Sequence, residues 1–122
     1  MAWSFDEYTP VYLQIADRIR NDIISGVYEQ GAQIPPVRQL ALTAAVNPNT
    51  VQHALTELES EGIIYSRGTS GRFVTDDFEI ISRARKNSAR KLIKSFLKQA
   101  DNMSIKKDEL IKMIEEEEDE HS

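Results

Sequence analysis

Asn49, Thr50, Gln52 and His53 are hydrogen-bonding side chains, uncharged or weakly basic, crowded into five residues directly after a proline. The two amides carry the donor and acceptor pair that matches an adenine edge, and a threonine suits a thymine methyl or a phosphate oxygen. Such contacts need a rigid support. The stretch VNPNTVQHALTELESEG, from Val46 to Gly62, has the features of one. Asn47 is of the type that caps a helix by accepting a backbone N–H, and Pro48 at the first helical position lacks only a donor that would be orphaned there. Val51, Ala54, Leu55 and Leu58 recur at i, i+3, i+4 and i+7, which predicts one buried stripe with Asn49, Thr50, Gln52 and His53 pointing outward. The same pattern fits an ordinary capped surface helix, so its neighbours decide between the two.

Upstream, Thr9-Pro10 leads into VYLQIADRIRNDIISG, a first helix with Val11, Ile15, Ile19 and Ile23 at helical spacing and Gly26 as its stop. Ile34-Pro35-Pro36 opens a short second helix, VRQLALTA, with Val37, Leu40 and Ala41 on one face, and AAVN is the tight connection of paired helices crossing steeply. After Gly62 the period changes. IIYSRGTSGRFV, Ile63 to Val74, places β-branched and aromatic residues on either side of a turn from Gly68 to Gly71, the pattern of a small hairpin. Beyond Asp76-Asp77 a long amphipathic helix is expected through Ile81, Ala84, Ala89, Leu92, Ile93, Phe96, Leu97 and Ala100. A last helix follows, with Ser104 as its expected cap.

Three helices and a hairpin, with the second and third helices joined by a tight turn, form the layout of a winged helix-turn-helix. In that module the third helix enters the major groove of DNA by its N-terminal end. The fold class is therefore mainly helical with a small β-hairpin: residues 1–75 as a DNA-binding domain, and residues 76–122 as a two-helix dimerisation region with an acidic tail. Arg38 sits at the start of the second helix, where a cation is unfavourable unless an anion such as phosphate arrives. The alternative is an ion pair with Glu57 or Glu61. Arg67, Thr69, Ser70 and Arg72 surround Gly68 and Gly71, which let backbone N–H groups approach a phosphate or a minor groove. A merely solvated turn is the other reading of that stretch.

The 122 residues suit one core plus a helical appendage and can bury roughly 65% of the unfolded surface. There is no cysteine, no apolar run of membrane-spanning length and no leader pattern, so a cytoplasmic protein without disulfides is expected. His53 and His121 are the two histidines and do not form a cluster, so no metal and no cofactor are expected. The net charge of -5 counts against nucleic acid, but it is segmented. Residues 1–75 hold five Lys/Arg against eight Asp/Glu, residues 76–112 ten against six, and residues 113–122 none against six. Arg83, Arg85, Lys86, Arg90, Lys91, Lys94 and Lys98 fall in a run without an acid, read as the wet face of a dimerising helix that could also attract the acidic tail. A protein-binding adaptor is the reading that the acidic first part favours. Catalysis is not expected, since no nucleophile and base pair, phosphate loop or paired carboxylates in a cleft are legible.

PVYLQI from Pro10, IISG from Ile23, GxxIPPVRxLA from Gly31, NPNTVxxA from Asn47 and GxSGxFV from Gly68 occur in order, and together they resemble the GntR family of bacterial transcription regulators. The resemblance covers about residues 8 to 75. The short remainder is similar to the YtrA-like subfamily, in which two helices used for dimerisation replace a large effector domain. The resemblance implies a homodimer on a palindromic double-stranded DNA operator, usually a repressor, with no membrane partner and an effector left unknown. It also implies contacts from Arg38, Asn49, Thr50, Gln52, Arg67, Gly68 and Gly71. Pro36, Pro48 and Gln52 depart from the commoner family residues, so no base preference is carried over.

Overall fold

In the computed structural model, which describes residues 3–117, the helical periods of the sequence become α1 (Val11–Ile24), α2 (Val37–Ala44) and α3 (Pro48–Ser60). β1 (Ile64–Ser66) and β2 (Arg72–Val74) follow, then α4 (Phe78–Asn102) and α5 (Lys107–Glu117). α3 lies at the centre of the first part and packs on α1, α2 and β1. Its stripe of Val51, Ala54, Leu55 and Leu58 is fully buried, and Ile15, Ala16, Ile19 and Ile23 of α1 meet it in one cluster with Leu40 and Ala41 of α2. Each large aliphatic side chain removed from water in this way contributes about 1.5–3 kcal/mol, which fixes α3 in rotation as well as in place.

Backbone chemistry sets the ends of these helices. Ala45 closes α2 in the left-handed conformation at φ +59°, and the N–H of Val46 reaches back to the Ala41 carbonyl at 3.1 Å, a Schellman-type stop that turns the chain into Asn47. Ahead of α1, Asp6 Oδ1 accepts the N–H groups of Tyr8 and Thr9, while the Gln14 amide accepts from Asp6 N–H and donates to the Thr9 carbonyl at 2.7 Å. The segment before Pro10 is thereby pinned to the helix, and Trp3 and Phe5 pack against the core.

β1 and β2 pair antiparallel in the register Ile64 with Val74, Tyr65 with Phe73 and Ser66 with Arg72. Ile34, Ile63, Ile64 and Val74 carry the core into this ribbon. On the far side of β2 the loop from Gly31 to Ile34 adds its own hydrogen bonds: Gly31 N–H to the Val74 carbonyl, Val74 N–H to the Ala32 carbonyl, and Ile34 N–H to the Arg72 carbonyl at 2.8 Å. One side chain locks the ribbon to α3. Glu59 accepts from Arg72 Nε at 2.8 Å and from Ser66 Oγ at 2.9 Å, one partner on each strand. These bonds, the Arg72 bond foremost, hold the Glu59 carboxyl below its ordinary range against the opposing effect of partial burial.

Asp77 caps α4 by accepting the Glu79 N–H at 2.9 Å, and Ile81 and Ala84 join the first core. The fold divides into two compact units between Arg85 and Lys86, inside α4. In the second unit Ala100 and Leu110 are buried, whereas Leu92, Ile93, Phe96, Ile111, Met113 and Ile114 are largely exposed. Ser104 does not cap α5 as the sequence suggests. It stands in the left-handed region at φ +60° with its N–H bonded to the Asp101 carbonyl, and the first helical bond of α5 runs from Leu110 N–H to Lys106, two residues later. Glu118 to Ser122, including His121 and the end of the acidic run, lie outside the described residues. Among the described residues no helix is long and apolar enough to cross a membrane.

Exposed Ala45 bears a Cβ in a conformation that glycine adopts freely, so Ala45→Gly is expected to raise stability by roughly 0.5–1 kcal/mol, seen as a melting temperature a few degrees higher. Glu59 has its carboxyl depressed in the fold, so its contribution is complete above the unfolded value of about 4.3 and disappears as pH falls through the lower folded value. Urea unfolding across pH 3–7 is therefore expected to show Glu59→Gln weaker by on the order of 1 kcal/mol at neutral pH, with the gap closing below about pH 4.

Candidate nucleic-acid interface

The tip of α3 is built as the sequence suggests. Asn47 has extended backbone angles, and its side-chain oxygen accepts the Asn49 N–H at 2.8 Å, while its carbonyl takes the N–H of Thr50 at 2.9 Å. Pro48 occupies the first helical position. Asn49, Gln52 and His53 are exposed; Thr50, expected to point outward with them, is half-buried because it lies four residues before Ala54 and eight before Leu58, at the head of their buried row. Thr56, one turn beyond Gln52, is also exposed but turns its hydroxyl inward, donating to the Gln52 carbonyl at 3.0 Å.

His53 is held by a neighbour that sequence reasoning missed. The Tyr12 ring, from α1, stacks on the imidazole with centroids 3.5 Å apart and planes 5° from parallel. The contact joins positions 41 residues apart, and the only local signal for it was an aromatic at the second position of α1, one turn ahead of Ile15 and Ala16 on that helix's buried face. Stacking of this kind fixes the histidine rotamer and leaves its ring edge as the exposed part. His53 lies four residues after Asn49, so the two share one line along α3.

Arg38 is exposed at the second residue of α2 and makes no ion pair among the described residues. Glu61, one of the acids the sequence offers it, is already engaged: Arg20 of α1 bonds it through Nε at 2.8 Å and Nη2 at 2.5 Å and holds Asp17 with its other nitrogen. That cation is thus committed to the fold, like Arg72 on Glu59. Of the five Lys/Arg in residues 1–75, Arg18, Arg38 and Arg67 are left without an ion pair among the described residues.

At the turn of the ribbon, Gly68–Ser70 form a single 3₁₀ turn, closed by Ser70 N–H to the Arg67 carbonyl and Arg67 N–H to the Gly71 carbonyl, both 2.9 Å. Gly71 has φ +108°, and a Cβ there would stand 2.7 Å from Gln33 Nε2, the group that donates to the Ser70 carbonyl at 2.8 Å. Gly68, at φ +54°, has open space around its missing Cβ. Arg67, Gly68, Thr69 and Ser70 are exposed, Gly71 is half-buried, and the Arg67 guanidinium lies 5.2 Å over the Phe73 ring. Arg72, which the sequence groups with these residues, faces Glu59 instead. No group of three or more His, Asp or Glu among the described residues is placed to hold a metal ion.

The family described as bacterial regulatory proteins, gntR family, matches residues 11–74, from the start of α1 to the end of β2. A GntR family transcriptional regulator from Listeria monocytogenes shares the fold with a TM-score of 0.84 and 34% identity over 92% of this chain and 98% of that one. The HTH-type transcriptional repressor YtrA of Bacillus subtilis (strain 168) is 38% identical over 69 residues, 57% of this chain and 53% of the repressor. The structure of AraR(DBD) in complex with operator ORX1 is similar over 62% of this chain and 92% of that one, with a TM-score of 0.54 and 28% identity. A capped α3, a glycine-turned wing and a match over more than half the sequence lead to one conclusion: the chain belongs to the GntR family of bacterial regulatory proteins, on its YtrA-like side.

Proposed function

We propose that this regulator acts in the cytoplasm as a repressor, a homodimer that seats α3 of each copy in the major groove of a palindromic operator. The observation that carries the reading is the combination on α3 of a fully buried stripe with Asn49, Gln52 and His53 standing in solvent just past a proline-stiffened start. Asn49 and Gln52 are suited to base edges, Thr50 and Arg38 to phosphate, and His53 to either through its free ring edge. Arg67, Gly68, Thr69, Ser70 and Gly71 form the wing, where exposed backbone and one guanidinium suit a phosphate or the minor groove. The operator bound by AraR(DBD) and the repressor role in the name of YtrA support the same assignment. Residues 1–75 are then the DNA-binding domain and residues 76–122 the dimerisation region, which would hold the two α3 tips about 34–36 Å apart.

Binding to DNA from the protein's own promoter, followed by fluorescence anisotropy, tests the assignment. Arg38→Ala is expected to weaken binding to every sequence and to lower the salt slope by about one for each Arg38 engaged, whereas Gln52→Ala should relax preference at one base position by about 1–3 kcal/mol. Wild-type affinity in both variants would remove the assignment. Tyr12→Phe keeps the stack on His53 and should bind like wild type, while Tyr12→Ala should lose about two- to tenfold in affinity with the melting temperature as a control.

A further inference from the structure

The first two turns of α4 carry Phe78, Ile81, Ser82 and Arg85 at i, i+3, i+4 and i+7, and so on one face. That face, the C-terminal end of α1 and the loop after it enclose an open hollow of about 270 Å³, all within the first unit, whose last residue is Arg85. Ligand sites run from about 300 Å³ upward, so the space suits a small metabolite. Ile23 and Ile81 give it a buried apolar floor, while Phe78 lines it with a side chain that is 67% exposed. Covering that ring favours an occupant with an apolar body.

The polar lining of the hollow is unspent. Glu29 and Gln30 come from the loop, Ser82 and Arg85 from α4. Thr43, Thr56 and Ser60 turn their hydroxyls back onto a carbonyl of their own helix, whereas the half-buried Ser82 hydroxyl makes no hydrogen bond among the described residues. Glu29 and Arg85 line the same space, yet neither pairs with the other or with any further charge among the described residues. Opposite charges that share a cavity without closing on each other leave a span for a ligand bearing both signs. A simple carboxylate would suit Arg85 and be repelled by Glu29, and a simple amine the reverse. We infer that the hollow is a binding site for a small zwitterion with an apolar body, of the amino-acid class. Its carboxylate is received by Arg85 and Ser82, its ammonium by Glu29 and the side-chain carbonyl of Gln30, and its hydrocarbon part by Ile23, Ile81 and Phe78. Such a ligand ties α1 and its loop to the base of α4. The site goes beyond the operator reading and does not depend on it.

Proton–nitrogen correlation NMR of the full chain without DNA is the test, with L-leucine and L-phenylalanine as probes, leucinamide as the probe lacking the carboxylate and 4-methylpentanoate as the one lacking the ammonium. Saturable shifts are expected at the amides of Glu29, Gln30, Ser82 and Arg85, with leucinamide and 4-methylpentanoate each about tenfold weaker than L-leucine. Arg85→Gln should weaken L-leucine about tenfold and leave leucinamide unchanged, whereas Glu29→Gln should weaken L-leucine and leave 4-methylpentanoate unchanged. Both residues are exposed and outside any ion pair among the described residues, so the free variants should melt like wild type. No saturable shift from either amino acid up to about 20 mM would overturn the inference. Equal affinity for L-leucine and leucinamide, or unchanged L-leucine binding in both variants, would do the same. Tighter binding of 4-methylpentanoate than of L-leucine would assign the hollow to simple carboxylates and overturn the zwitterion. Shifts at Phe78 and Ser82 that follow protein concentration alone, with no ligand added, would give the space to a second copy and also overturn it.

Discussion

Withdrawal of Val51, Ala54, Leu55 and Leu58 from water sets the rotation of α3, and every other property of its outer face depends on that setting. A helix that buries one stripe completely cannot roll, because rolling would expose several large aliphatic groups at about 1.5–3 kcal/mol each. Asn49, Gln52 and His53 are exposed because those four are not. The start of the helix is fixed as firmly as its rotation, by the Asn47 cap and the preset φ of Pro48. Position along the axis and angle about it are therefore decided by different residues from the ones proposed to read DNA. The reading residues can differ among family members without disturbing the support.

Much of this was legible in the residues themselves. Period and punctuation located α1, α2, α3 and the ribbon, since helical spacing of aliphatic residues, Pro48 and the glycines of the turn act locally. The structure added the contacts that join distant parts of the chain. The Tyr12 stack on His53, the double capture of Glu59 by Ser66 and Arg72, and the hold of Arg20 on Glu61 connect residues 7 to 41 positions apart, where periodicity carries no signal. Ser104 shows the local limit: its type suits a cap, yet a left-handed turn placed the first helical carbonyl two residues further on. Gln14 is the opposite case, a polar residue in an apolar helix start whose purpose became clear only when its amide was seen to hold Asp6 and Thr9.

The distribution of ion pairs explains how an acidic chain can host a basic function. Carboxylates of residues 1–75 are used internally, with Glu59 and Glu61 holding Arg72 and Arg20, so part of the negative charge serves to orient the wing and to brace α1 against the end of α3. Arg38 and Arg67 are spared that duty. With few unpaired cations in this part, a phosphate-dominated, sequence-blind mode of binding has little to draw on, and the amides on α3 would contribute a larger share of the discrimination.

The pairing of the Gly31 to Ile34 loop with β2 has a consequence for the protein in a crowded solution. Short two-stranded ribbons present open rows of amides and carbonyls that recruit other chains into growing stacks. Here the outer border of β2 is already occupied by Ala32 and Ile34, with Gln33 bridged to Phe73. The segment that leads into α2 thus doubles as a shield, leaving the wing free to be reached by a ligand and closed on that border to its own kind.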